Sequence, residues 1–200
     1  MKEITLEISV VEQMFKTLKK SLSKDKSRPI LEWIKCEVKG KKLLAVALDG
    51  YMLTTFAVDI KEGVEEEFGF YIQPFYIPKY KNGGTVKFFA ESKNEIMVEI
   101  KSFTSPDKLI YTIKQPGDNF IEWRNVIPET DDELKIFVNA RMLVDVLEGF
   151  KCSPMANNEI CIKFKRHKNG IDCVAPMIVE QNSKDGITRS GLLLPIRHLE

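Results

Sequence analysis

Ile4, Leu6, Ile8 and Val10 alternate with polar residues, the period of a strand with one buried face. The period then changes. Val11, Met14, Phe15, Leu18 and Leu22 recur every three or four residues, with Glu12, Lys16, Lys19, Lys20 and Ser23 opposite, which predicts an amphipathic helix capped near Ser9. After a polar break at 24–28 and Pro29, strand-like runs cover Ile30–Val38, Leu43–Leu48 and Met52–Ile60, with Gly40 and Gly50 in the connecting turns. The opening stretch therefore reads β-α-β-β-β.

The same order returns twice. Phe68–Ile72 predicts a strand and Gln73–Lys81 a short helix, which contains Pro74 and Pro78 and stops at Asn82-Gly83-Gly84. Strands are predicted next at Thr85–Glu91, Glu95–Ser102 and Lys108–Lys114. The connector from Asp118 to Pro128 carries Phe120, Trp123, Val126 and Ile127, apolar enough to dock. A third pass opens with a strand at Glu133–Val138, then Asn139 as a cap and a helix with Met142, Leu143, Val146, Leu147 and Phe150 on its apolar face. Its strands are Glu159–Arg166, a broken Gly170–Val179, and Gly191–Ile196. Three passes in 200 residues give about 67 residues each, a repeat of structural type in an α+β fold.

Composition narrows the function classes. Hydrophobic residues at 44% and charged residues at 30% suit an ordinary globular protein and exclude disordered, collagen-like and fibrous chains. Thirty Lys and Arg against 29 Asp and Glu leave a net charge of +1, so any attraction to nucleic acid must come from one face. No apolar run is long enough to span a bilayer and no signal-peptide core follows Met1, so the expectation is a cytoplasmic protein with no membrane partner. Cys36, Cys152, Cys161 and Cys173 contain no C-x-x-C pair and read as reduced core thiols.

Several stretches together carry a family resemblance. Arg28-Pro29-Ile30-Leu31, Glu37 to Leu43 and Ala45-Val46-Ala47-Leu48-Asp49-Gly50-Tyr51-Met52-Leu53 resemble the middle domain of the bacterial DNA polymerase III beta subunit, the sliding clamp. There a strand ends in a T-D-G-[HY]-R-L turn, so Leu48 and Met52 depart from the family at its Thr and Arg. Phe120 to Pro128 is similar to the family connector F-P-x-[YF]-x-x-[VL]-[IL]-P, and Leu192-Leu193-Leu194-Pro195-Ile196-Arg197 to its C-terminal V-x-M-P-[MI]-R. Phe137 to Lys151 resembles the helix before that ending. The match passes from the middle domain to the second unit of the last domain, so three units stand where the family has six. The resemblance implies a shortened clamp relative with the DNA-clamp (processivity) fold: 1–128 a clamp-like domain of two units, 129–200 a half-domain.

What the resemblance implies about function is peptide capture without catalysis and without a cofactor. The pocket would use Leu48, Gly50, Tyr51, Met52 and Leu53 as one wall, Pro128 at the connector, and Leu192, Leu194 and Ile196 as the other wall. Its partners would be clamp-binding peptides of polymerases or repair proteins. Leu, Met and Tyr suit the apolar anchors of an extended peptide; read without the resemblance, the same residues are more simply ordinary core at strand ends. Weak duplex-DNA contact would fall to Lys16, Lys19, Lys20, Lys24, Lys26 and Arg28, a stripe able to meet phosphates without reading bases, or simply a solvated surface. A clamp-fold regulatory or assembly protein that does not encircle DNA is the alternative. The unpaired third unit implies a homo-oligomer, most simply a two-fold dimer.

An enzyme is the contrasting class. His167 and His198 are the only histidines, and Cys161 and Asp172 flank His167 at six and five residues. Cys161 alternates into a strand with Ile160, Ile162 and Phe164, and His167 falls in a turn at 165–169, so no nucleophile or metal site is expected. The chain has no Gly-rich phosphate loop and no H-E-x-x-H.

Overall fold

A computed structural model of the chain describes residues 2–90, 92–127, 136–150, 159–167, 170–171, 175–182 and 188–195. Two compact units, Met1–Val126 and Ile127–Glu200, divide the chain.

In the first unit, β1 (Lys2–Glu7) runs directly into α1 (Ile8–Leu18), and a single 3-10 turn at Lys19–Ser21 follows. A second 3-10 turn at Pro29–Glu32 leads to β2 (Ile34–Lys39), β3 (Lys42–Leu48) and β4 (Leu53–Asp59). Then come β5 (Phe68–Ile72), β6 (Gly84–Ala90), β7 (Glu95–Ser102) and β8 (Lys108–Lys114). Three expectations are corrected here. The helix at Gln73–Lys81 is absent, because Pro74 and Pro78 remove two backbone donors and bias the residues before them away from helix. That stretch is extended, with Phe75, Ile77 and Tyr80 packed on the core and the Tyr111 hydroxyl donating to the Tyr76 carbonyl at 3.0 Å. Ser9 lies inside the first helical turn; Glu7, still extended, holds the cap position without a side-chain bond. The strand expected from Ile30 starts at Ile34, since Pro29 fits the first position of a helical turn.

The two halves of this unit are interleaved. Its four-stranded antiparallel sheets have the orders β4-β3-β2-β5 and β1-β6-β7-β8, so each half lends its first strand to the other half's sheet. The register is apolar to apolar at the exchange: Leu6 faces Val86 and Ile4 faces Phe88, while Ile72 faces Ile34 and Phe70 faces Cys36. The sheets share one core. Val11, Met14 and Leu18 of α1 are fully buried in it, and α1 packs on β3 and β4 of one sheet and on β1 and β6 of the other. Phe70 and Phe88 bridge the sheets with ring centroids 5.3 Å apart, and the Phe15 ring meets Phe75 edge-on at 5.1 Å.

The two exchanged strands, each at a sheet edge, are guarded. Gln115 mimics a neighbouring strand against β5: its Oε1 accepts from the Tyr71 N–H at 2.7 Å and its Nε2 donates to the Tyr71 carbonyl at 3.0 Å. At β1, the Glu7 carboxylate pairs with Lys61 at 3.0 Å and Lys2 with Glu66 at 2.8 Å.

The second unit contains α2 (Ala140–Phe150), β9 (Cys161–Lys163), a two-residue hairpin of β10 (Arg166–His167) and β11 (Gly170–Ile171), β12 (Met177–Asn182) and β13 (Thr188–Leu193). Asn139 caps α2, its Oδ1 accepting from the Arg141 and Met142 N–H groups at 3.0 and 3.1 Å. The antiparallel sheet has the order β13-β12-β9. Its core is Phe150, Met177, Val179 and Leu193, with Leu143, Val146 and Leu147 packed against them. Gly191 on β13 is a close-approach position, because a Cβ there would lie 2.4 Å from Val146 Cγ1 of α2. Of the strand expected at Glu133–Val138, 133–135 lie outside the described residues and Ile136–Val138 belong to no strand. Glu159–Arg166 shrinks to β9, His167 sits in β10 rather than a turn, and the broken stretch at Gly170–Val179 resolves into β11 and the start of β12.

Cys36 is buried in the first core, where loss of solvent pushes its thiol pKa well above the ordinary value. Cys161 is exposed, contrary to the reading of all four thiols as core; Cys152 and Cys173 lie outside the described residues. If the interleaved core dominates the first unit, Phe88→Ala should lower its unfolding free energy by about 3–5 kcal/mol in urea denaturation. Ile110→Ala, on the exposed side of β8, should cost less than about 1 kcal/mol.

Candidate functional site

The turn joining β3 to β4 is built around Asp49. Its Oδ1 accepts from the Tyr51 N–H at 2.8 Å and the Met52 N–H at 2.7 Å, and its own N–H donates to the Met52 carbonyl at 3.2 Å. Gly50 sits at φ +98°, where an L side chain is strained. Leu48 and Leu53 pair across the strand ends, and both pack with Leu31, Val46, Phe120 and Trp123. Leu48, only 6% exposed, is therefore the turn's anchor, while Tyr51 at 98% and Met52 at 49% stand in solvent.

Glu37 ties the connector to β2. Arg124 grips its carboxylate through Nη2 at 2.5 Å and Nη1 at 3.4 Å and lies over the Trp123 ring at 4.3 Å, while Lys35 Nζ reaches the carboxylate at 3.0 Å. Partial burial pushes the Glu37 pKa up, but the bonds from Arg124 and Lys35 outweigh it and hold the pKa below the ordinary 4.5.

In the second unit, β13 alternates at its end. Leu193 is buried, whereas Leu192 and Leu194 are 60% and 65% exposed. Pro128 and Ile196 lie outside the described residues.

The basic stripe covers three kinds of backbone. Lys16 lies on α1, Lys19 and Lys20 on the 3-10 turn, and Lys24, Lys26 and Arg28 in the loop beyond, all of them exposed. Among the described residues, Lys26 pairs with Glu32 at 2.8 Å, and no ion pair neutralises Lys16, Lys19, Lys20 or Lys24. The loop is ordered by local bonds: the Asp25 carboxylate accepts from the Ser27 N–H at 2.9 Å and hydroxyl at 2.7 Å, and the Ser23 N–H donates to the Leu31 carbonyl at 3.0 Å. Those Ser27 bonds hold the Asp25 pKa below its usual value.

Periodicity gave no sign of a groove of about 600 Å³ between β1 and the loop after β4. Glu3, Glu7, Asp59, Glu62, Glu65 and Glu66 outnumber the Lys2 and Lys61 that line it, so it repels phosphate. Its residues come together only through the pairing of the sheets. No cluster of metal-ligating side chains occurs among the described residues, and no helix there is long and apolar enough to cross a membrane.

Because the Glu37 pKa is lowered on folding, its contribution to stability is intact above the ordinary value of 4.5 and is lost as pH falls through the folded value. Glu37→Gln should lower stability near neutral pH and flatten the loss of stability that sets in as pH falls below the ordinary carboxylate value. Parallel wild-type and variant profiles in urea denaturation would contradict the assignment.

No protein-family model matches the chain, and no curated protein matches it. Among solved structures, the DNA polymerase III beta chain of Streptococcus pneumoniae aligns with a TM-score of 0.76 at 17% identity, over 98% of this chain and 50% of that one. The Bacillus subtilis sliding clamp aligns at 0.74 and 14% identity, over 97% and 49%. A Pseudomonas aeruginosa sliding clamp bound to griselimycin aligns at 0.72 and 14%, over 97% and 50%. The chain spans about half the length of each of these clamps, and its fold is that of the bacterial DNA polymerase III beta sliding clamp.

Proposed function

We propose that the protein is a non-catalytic, cytoplasmic accessory factor of clamp type that captures short apolar peptide segments of polymerases or repair proteins. The observation that carries this reading is the Asp49 turn. It holds Tyr51 and Met52 out in water on a rigid, anchored backbone, which suits an apolar contact surface. Leu48, Gly50 and Leu53 set the turn, and Leu192 and Leu194 supply a second pair of exposed apolar side chains on their own unit. Pro128 and Ile196 are assigned to the same role by sequence resemblance. That one clamp of this fold is bound to griselimycin supports a ligand site in the fold.

Contact with duplex DNA, in this proposal, is weak and purely electrostatic, through Lys16, Lys19, Lys20, Lys24, Lys26 and Arg28. A stripe of this kind releases counterions and therefore weakens steeply with salt. A second reading, a clamp-fold regulatory or assembly protein that does not encircle DNA, is favoured by α2, where Asp145 and Glu148 are exposed beside Arg141. Such a helix is a poor phosphate surface.

Titration of a fluorescent clamp-motif peptide should give saturable binding that falls at least about tenfold in Leu194→Asp, the loss of one exposed apolar anchor that the peptide would cover. Absence of binding, or an unchanged affinity in the variant, rejects the peptide surface. On a duplex-DNA column, retention at low salt should vanish as salt is raised and should be abolished by the double variant Lys16→Glu, Lys20→Glu. No retention at low salt selects the second reading.

A further inference from the structure

In the first unit, β1 lies at the edge of its sheet, and among the described residues no strand pairs with its outer side. The acidic groove of about 600 Å³ runs along that side. Every residue from Lys2 to Glu7 lines it, whereas a groove over one face of the strand would meet only alternate residues. Opposite stand the end of β4 and the loop after it, from Val58 to Glu66. The six residues of β1 give the groove a length of about 20 Å.

The lining combines two chemistries. Ile4, Leu6 and Ile60 are buried there, and Val10, Val58 and Val64 add partly buried apolar surface. Beside them stand six carboxylates and two lysines. Asp59, Glu62 and Glu65 are exposed and pair with no cation among the described residues. The two ion pairs that guard β1 stand at its ends, Lys2 with Glu66 and Glu7 with Lys61, and all four side chains reach solvent. Pairs so exposed hold weakly, so an incoming ammonium or guanidinium group can replace either lysine.

We propose that this edge receives an extended basic segment of a partner protein as an added strand. The alternation along β1 sets the partner's chemistry. Ile4 and Leu6 turn to the core, while Glu3, Thr5 and Glu7 turn to the outer face. A strand laid beside β1 places apolar side chains next to Ile4 and Leu6, where they cover Val10 and Val58, and places lysine or arginine next to Glu3 and Glu7. Asp59, Glu62 and Glu65, across the groove, attract the same cations. The occupant is therefore a segment in which Lys or Arg alternates with apolar residues. No residue of the Asp49 turn lines this groove, so the proposal stands if peptide capture at that turn fails.

The probe is a fluorescent peptide of three Lys-Val repeats, with three Glu-Val repeats as the control. On the full 200-residue chain, the Lys-Val peptide should bind saturably and more weakly as salt is raised, and amides of β1 should exchange more slowly when it is bound. Glu62→Lys with Glu65→Lys, both on the exposed loop, should weaken binding at least about tenfold with far-UV circular dichroism unchanged. Should that variant lose secondary structure, Glu62→Gln with Glu65→Gln should weaken binding about threefold or more. No saturable binding, equal binding of the Glu-Val peptide, unchanged affinity in the folded variant, or unchanged β1 exchange would each overturn the proposal. So would β1 protection that rises with protein concentration in the absence of peptide, which assigns the groove to a second copy.

Discussion

The pairing of β1 with β6 and of β5 with β2 is the constraint on which the first unit depends. Each is a contact between segments far apart in sequence, so neither half can complete its sheet until the other has formed, and the loop entropy is repaid only by a shared core. That core is what buries α1 on two sides and sets Phe70 against Phe88. Without the exchange, the apolar face of α1 would have half its partners.

The candidate site inherits its rigidity from this arrangement. β3 is a central strand, paired with β2 and β4, so the turn at its end is fixed from below by Leu48 and from the side by Asp49. Phe120 and Trp123 close the small cluster under the turn, and the Glu37–Arg124 pair clamps them there. Tyr51 and Met52 thus form an exposed apolar tip whose main chain is already ordered. The charges are divided as well: the exposed lysines follow α1, whereas the groove beside β1 is acidic.

Much of this was legible in the sequence where local chemistry decides. β5, β7 and β8 match their hydrophobic runs end to end, because period-two alternation bounded by turn residues leaves no competing structure. The Asn139 cap was equally plain. The Gln73–Lys81 segment was misread because its apolar spacing imitates a helix, while two prolines forbid one. Cys161 was misread because alternation with Ile160 and Ile162 implies a covered strand, and whether a strand is covered is a non-local fact. The interleaving of the sheets left no local mark either; β1 and β5 look like ordinary first strands of self-contained repeats. The same holds for the buried position of Leu48 beside the exposed Tyr51, since both are apolar residues at a turn.

Native-state hydrogen exchange across the first unit tests the interleaved core most directly. If one shared core holds both halves, amides in β1, β2, β5 and β6 should all open at the same free energy, that of global unfolding, and should lose protection together when Phe88 is replaced by Ala. Separate opening free energies for the β1–β6 and β2–β5 ladders, with the variant weakening only its own sheet, would contradict it.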